Sequence, residues 1–323
     1  MSLNGISTLL TKQEKQAAKL ALANVNRAAD GNTRSTYNIN LLPTQYSGNV
    51  IVDNTFDGNT LTAGRPWSTF TPSTLFATSE KGVWFDPSDL TTLFQDVAGT
   101  IPVTASGQTV ALMRDKSGNG ADATQATPGN RPTYFVYPNG VGCLNFDGIS
   151  QFMVTGNIDF TGTAKITATV GLQIAAGVVS GGMMLEFGPS TLTTNGSFYI
   201  TAPASTFDHS FGMRGTIVSI ALVSNLTPGD DVLTGIFDIS QGTKELELIP
   251  RLGGVTLSGA SITWSNGPTA GTGTFGNRAL YIGARAGTIA FFKGHFYGAV
   301  VRGATSNAIQ INQTENWTVS KLD

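Results

Sequence analysis

The sequence predicts an all-β fold, a two-sheet antiparallel sandwich, and three observations carry that expectation. About eleven short apolar or alternating segments recur between residues 143 and 302, separated by Gly, Asn, Asp, Ser and Pro. Charged residues are only 12% of the 323-residue chain while glycines number 39, the profile of a protein with many turns and few solvated helices. The third observation is the stretch Gly142-Cys143-Leu144-Asn145-Phe146-Asp147-Gly148, continued to Val154. Leu144 and Phe146 alternate with Asn145, Phe152 and Val154 bracket Met153, and Asp147-Gly148 between the two runs has hairpin turn chemistry. This reads as strand, tight turn and second strand, with Gly142, Phe146, Asp147 and Gly148 as its structural turn residues.

Composition excludes several classes. A chain of this length buries roughly 75% of the surface its unfolded form exposes, so it needs no staples. A net charge of -2 and a pI near 5.7 provide no basic field for phosphates, which argues against a nucleic-acid partner. One cysteine and two histidines make neither an internal disulfide nor a structural zinc site, and Cys143 reads as a small buried hydrophobe. Such usage fits assembly in a reducing cytoplasm, and the start Met1-Ser2-Leu3-Asn4-Gly5 lacks signal-peptide character. The uncharged run from Ile166 to Leu185 is broken by Gly171, Gly177 and Gly181-Gly182, which favours two buried strands over a membrane span.

In chain order, Thr11-Lys12-Gln13-Glu14 has capping-box spacing and Gly31 is a stop, so a helix is expected over about 12–29. Ala17, Ala21 and Val25 form its stripe, Leu20 flanks it and Leu10 precedes it. Residues 32–82 are polar and irregular, too long for an ordinary loop. The expected division is therefore an N-terminal attachment arm over 1–80 and a sandwich over 81–323. Within the sandwich, Asp86-Pro87 is expected to start a short helix reaching Gln95. Asp115-Lys116-Ser117-Gly118-Asn119-Gly120 is a loop. Strands follow at about 143–147, 151–155, 164–174, 182–187, 197–201, 209–213, 216–223, 232–240, 244–250, 279–284 and 294–302. A helix over about 305–317, capped by Thr305 or Ser306, offers Ile309, Ile311 and Trp317 for docking.

Chemistry-bearing patterns are sparse. Glu245 and Glu247 share a face if 244–250 is a strand, but Leu246 and Leu248 then take the core side and both glutamates are solvated. His209 and His295 are the only candidate bases, and no G-x-S-x-G turn accompanies them. Gly271-Thr272-Gly273-Thr274-Phe275-Gly276 has dinucleotide-loop spacing without the flanking strand and helix, and reads as a loop. Trp264 and Asn266, an aromatic beside an amide at a loop edge, are the residues equipped to stack on and hydrogen-bond a sugar.

The L-x-F-D-G pattern at Leu144 to Gly148 resembles the concanavalin A-like (laminin-G-like) sandwich domains that recur in bacteriophage virion proteins. The wider layout is similar too: Trp84-Phe85-Asp86-Pro87, the Asp115 loop, Leu280-Tyr281-Ile282-Gly283, and Phe292 to Gly298 occur in that family's order. Leu3 to Leu9, the Thr-Lys-Gln helix opening and Leu42 to Asn49 resemble N-terminal arms of structural proteins from phages of cyanobacteria. The resemblance implies a jelly-roll sandwich displayed on the virion, joined to other virion proteins through the arm, forming a homo-oligomer and binding a host surface glycan. A purely structural cement or decoration protein and a glycan hydrolase are the alternatives, and the hydrolase relatives' E-x-D-x-x-E arrangement is absent. Calcium, which family members hold beside the ligand face, would draw on Asp115, Asp147 or Asp230-Asp231; the competing reading has Asp115 and Asp147 bonding local amides in turns.

Overall fold

The structure is a computed structural model that describes residues 70–175, 182–204, 208–223, 230–267 and 269–322. The expected helix over 12–29, with Leu10, Ala17, Leu20, Ala21 and Val25, lies outside the described residues. The strands are β1 (Gly82–Phe85), β2 (Leu93–Phe94), β3 (Leu112–Met113), β4 (Ala123–Thr124), β5 (Thr133–Val136), β6 (Gly142–Asp147), β7 (Met153–Asp159), β8 (Lys165–Ile174) and β9 (Met183–Phe187). They continue with β10 (Ser197–Ala204), β11 (Asp208–Arg214), β12 (Val218–Val223), β13 (Asp230–Asp238), β14 (Leu248–Leu252), β15 (Val255–Thr256), β16 (Ile262–Asn266), β17 (Asn277–Ile282) and β18 (Lys293–Arg302). Among the described residues two α-helices join them, α1 (Lys244–Glu247) and α2 (Ala308–Val319).

The expected two-sheet antiparallel sandwich is observed. One sheet runs β15-β14-β13-β8-β18-β6-β5 with β1 also on β18, and the other runs β16-β12-β11-β10-β9-β17-β7-β4-β3-β2. Period-two patterning places one row of each strand between the sheets: Ile166, Ala168, Val170, Leu172 and Ile174 of β8 face Leu185 and Phe187 of β9, Phe198 of β10 and Phe211 of β11 in one core. Fully burying each large side chain there is worth roughly 1.5–3 kcal/mol.

The central motif differs from expectation. β6 belongs to the first sheet and β7 to the second, so the two strands pair with β18 and β17 respectively and not with each other. The Asp147-Gly148 turn is thus an arch that carries the chain across the core. Asp147 Oδ1 accepts from the amides of Ile149, Ser150 and Gln151 at 2.8, 3.1 and 3.2 Å, and Gly148 has φ 76°. A Cβ on Gly148 would lie 2.6 Å from Lys293 Cβ. Gly148→Val is therefore expected to cost about 1 kcal/mol or more, read as a lower urea midpoint at unchanged slope.

Three local expectations also fail. No helix follows Asp86-Pro87: a 3-10 turn at Leu90–Thr92, capped by Asp89, leads directly into β2, because Phe94 pairs with Leu112 at the sheet edge. Residues 244–247 form a helical turn instead of strand, since β13 ends at Asp238 and the chain must reverse before Leu248 can pair with Phe237. That turn exposes Leu246 and buries Glu247, the reverse of the expected faces. The C-terminal helix is capped by Asn307 in a capping box with Gln310, one residue beyond Ser306 and two beyond Thr305, the expected caps; Ile311 docks while Ile309 is exposed.

The compact unit containing the sandwich begins at Pro72, where Leu75 and Phe76 are buried. Burial alone would raise the Glu80 carboxyl, but its hydrogen bonds to Arg302 and Thr78 bring it down to about 2, and Glu80 Oε1 lies 2.6 Å from Arg302 Nη2 on β18. Residues 72–80, read from sequence as arm, are joined to the sandwich by these contacts.

Candidate functional site

On the core-averse face of the first sheet, register aligns Thr133 of β5, Asn145 of β6, His295 of β18 and Gln173 of β8 in one row across four strands. α2 covers the neighbouring part of this face, and the row lies beside it. Phe135 stacks on His295 with ring centroids 5.0 Å apart and planes at 10°. Tyr137, just past β5, stands edge-on to both rings. Its hydroxyl donates to Gln173 Oε1 at 2.7 Å, contacts His295 Nδ1 and accepts from the Tyr297 hydroxyl at 3.1 Å. Cys143, Tyr297 and Leu322 are buried beneath and beside the rings, whereas Phe135, Tyr137, Asn145, Gln173 and His295 remain half-exposed. Aromatic bodies with amides around them present C–H-complementary faces and directional hydrogen bonds together.

The sequence-derived candidates lie elsewhere. Trp264 is in edge strand β16, not at a loop edge; it is half-buried against the inter-sheet core, and Lys244 Nζ sits 5.6 Å from its ring centroid. Asn266 pairs through its backbone with Ser219, and its side chain is outside the described residues. Asp115 ties the loop before β4: Oδ1 accepts from the amides of Trp84 and Ser117, both at 2.9 Å, and Oδ2 from the Ser117 hydroxyl at 2.7 Å and the Ala121 amide at 3.1 Å. With Asp147 on its three amides, both aspartates serve as turn acceptors. Asp231 Oδ2 lies 3.5 Å from Nε2 of the fully buried His209, whose Nδ1 is 3.1 Å from Thr201 O. Among the described residues no group of three or more His, Cys, Asp and Glu could hold a metal ion. Trp317 docks α2, its ring edge-on to Trp84 at 5.8 Å.

Two buried carboxyls, Glu186 and Glu247, are held above their ordinary range. Burial pushes the Glu186 carboxyl up against the opposing effects of the Thr191 amide (2.7 Å) and Arg285 (Nε–Oε2 2.9 Å). Arg285 leads a loop in which Ala286 and Ala290 hold φ of 53° and 52°. Burial likewise pushes Glu247 up, the Ala270 amide at 2.6 Å opposing and Asp238 reinforcing the shift, and Oε1 of Glu247 has no partner among the described residues. A carboxyl raised in the folded state holds its proton longer than in the unfolded chain. Its contribution is present below the ordinary carboxylate range and lost as pH rises through the folded value. Glu247→Gln should therefore gain stability relative to the parent as pH rises from 4 to 8, measured as the difference between their melting temperatures at each pH. A constant difference across that range would contradict the assignment.

Fold and surface define an antiparallel β-sandwich with an aromatic and amide patch on one outer face. No family model and no curated protein matches the chain. Among solved structures it is similar to the binding domain of botulinum neurotoxin DC in complex with SialylT, at 9% identity and TM-score 0.48, over 77% of this chain and 52% of that one. It is also similar to a structure described under the cell entry of botulinum neurotoxin type C, dependent upon interaction with two ganglioside molecules, at 10% identity and TM-score 0.47, over 74% and 51%. A third is Trypanosoma rangeli sialidase in complex with the inhibitor DANA, at 14% identity and TM-score 0.44, over 71% and 36%. The chain spans about half the length of the first of these, or less in the sialidase.

Nothing in the sequence singled out the patch, because Phe135, Asn145, Gln173 and His295 lie up to 160 positions apart in order of chain and meet only through register. The available signal was a polar or aromatic residue at the non-core position of four otherwise apolar strands.

Proposed function

We propose that this chain is a non-catalytic bacteriophage virion protein displayed on the particle surface, whose sandwich binds host glycans through the Phe135, Tyr137, Asn145, Gln173 and His295 face. The carrying observation is the half-exposed ring cluster set in a row of hydrogen-bonding side chains on the face opposite the core. Sugars offer C–H faces for the rings and hydroxyls for the amides. The virion setting, the other virion proteins as partners and homo-oligomerisation rest on the sequence resemblance. The non-catalytic reading is supported by the placement of the carboxylates: Glu186 is held by Arg285 and Thr191, and Glu245 is solvated while Glu247 is buried, so the pair from one strand that retaining hydrolysis uses is not formed.

The full chain on a glycan array is expected to retain a subset of saccharides, and Phe135→Ala to lose them while still melting cooperatively as a folded sandwich. A reducing-sugar assay on the retained glycans should show no release. No retention by the full chain would favour a cement or decoration protein without ligand. Antibody labelling of virions in electron micrographs tests the location.

A further inference from the structure

We infer that the ligand of this face is an uncharged linear oligosaccharide lying across the strands, contacting at least two sugar units, a deepening that rests on the glycan-binding reading above. The row Thr133, Asn145, His295, Gln173 crosses four adjacent strands in register. At about 4.8 Å between strands it is roughly 14 Å long. Because Gln173 Oε1 accepts the Tyr137 hydroxyl at 2.7 Å, its amide nitrogen keeps both hydrogens for another acceptor. The Asn145 carboxamide has no partner among the described residues. These two amides stand two strand spacings apart, about 10 Å, on either side of β18. A ligand that hydrogen-bonds both amides and also packs on the His295 ring between them is longer than one pyranose unit and continues through a glycosidic bond, towards the Phe135 ring stacked on His295.

Charge selects against acidic sugars. The neighbouring register pair is Lys293 opposite Asp147. One lysine opposite one aspartate leaves no net positive charge to attract a carboxylated or sulfated saccharide.

The test is calorimetric titration of the full chain with malto-, cello- and chito-oligosaccharides of one to six units, and with sialyllactose and oligogalacturonides as acidic probes. Affinity is expected to rise about tenfold or more from one unit to three and then level, with the acidic probes weaker. Asn145→Ala and Gln173→Ala should each lower trisaccharide affinity about three- to tenfold, and the double variant should abolish the dependence on length. Their melting temperatures report that the fold is kept. A monosaccharide bound as tightly as the trisaccharide, a preference for the acidic probes, or an array that retains glycans while every neutral ladder fails would overturn this inference and leave glycan binding standing. An array that retains nothing overturns both.

Discussion

Replacing Arg251 by alanine is expected to remove about 3–5 kcal/mol of stability, one of the two largest effects foreseen for this chain. Arg251 of β14 and Glu315 of α2 are 5% and 2% exposed and meet in a two-pronged pair, Nε to Oε1 at 2.7 Å and Nη2 to Oε2 at 2.8 Å. The same guanidinium donates to Gly254 O at 2.8 Å and to the Thr256 hydroxyl. Alanine would leave the Glu315 carboxylate buried without its counter-ion, and that uncompensated charge carries the cost. The double variant Arg251→Met, Glu315→Leu removes both charges and should recover most of the loss. Urea unfolding followed by circular dichroism measures both; a single-variant loss below about 1 kcal/mol would mean that the pair does not hold α2. The consequence reaches the ligand face, because Val319 at the end of α2 and Leu322 just beyond it pack with Tyr297, Cys143, Phe135 and Tyr137. Loosening α2 should weaken glycan binding along with stability.

The second large effect is at Phe198. Its ring lies 5.6 Å from Phe187, 5.0 Å from Phe237 and 6.0 Å from Phe275, joining β9 and β10 of one sheet to β13 of the other and to the loop before β17. It is fully buried, so Phe198→Ala deletes a ring from the middle of the core and leaves a cavity walled by three others, at a cost of about 3–5 kcal/mol. Phe198→Leu keeps most of the volume and should cost less than half as much. Thermal melting of both variants checks the order. Equal losses would mean that the core collapses around either residue, contrary to the packing described.

Much of the architecture was legible in the sequence because it follows from local patterning. Alternation in Leu144 and Phe146, the long apolar run of β8 and the turn residues between strands announce a buried face repeated many times, and two such faces can only be satisfied by stacking sheets. Asp115 and Asp147 were readable as turn acceptors for the same reason: the amides they bind lie mostly within a few residues along the chain. Which strands pair is not local. Asp147-Gly148 has the chemistry of a hairpin, yet the partners of β6 and β7 come from β18 and β17, more than a hundred residues later, and that choice turns the hairpin into an arch. Glu247 and Leu246 exchanged faces because pairing of Leu248 with Phe237 forced the reversal before it. The candidate ligand face is of this second kind. Thr133, Asn145 and Gln173 are unremarkable in sequence and His295 reads there only as a candidate base, and register across β5, β6, β18 and β8 alone brings them into one row. Period and turn chemistry are written residue by residue, whereas a surface assembled from four strands is decided by which edges meet when the core is closed.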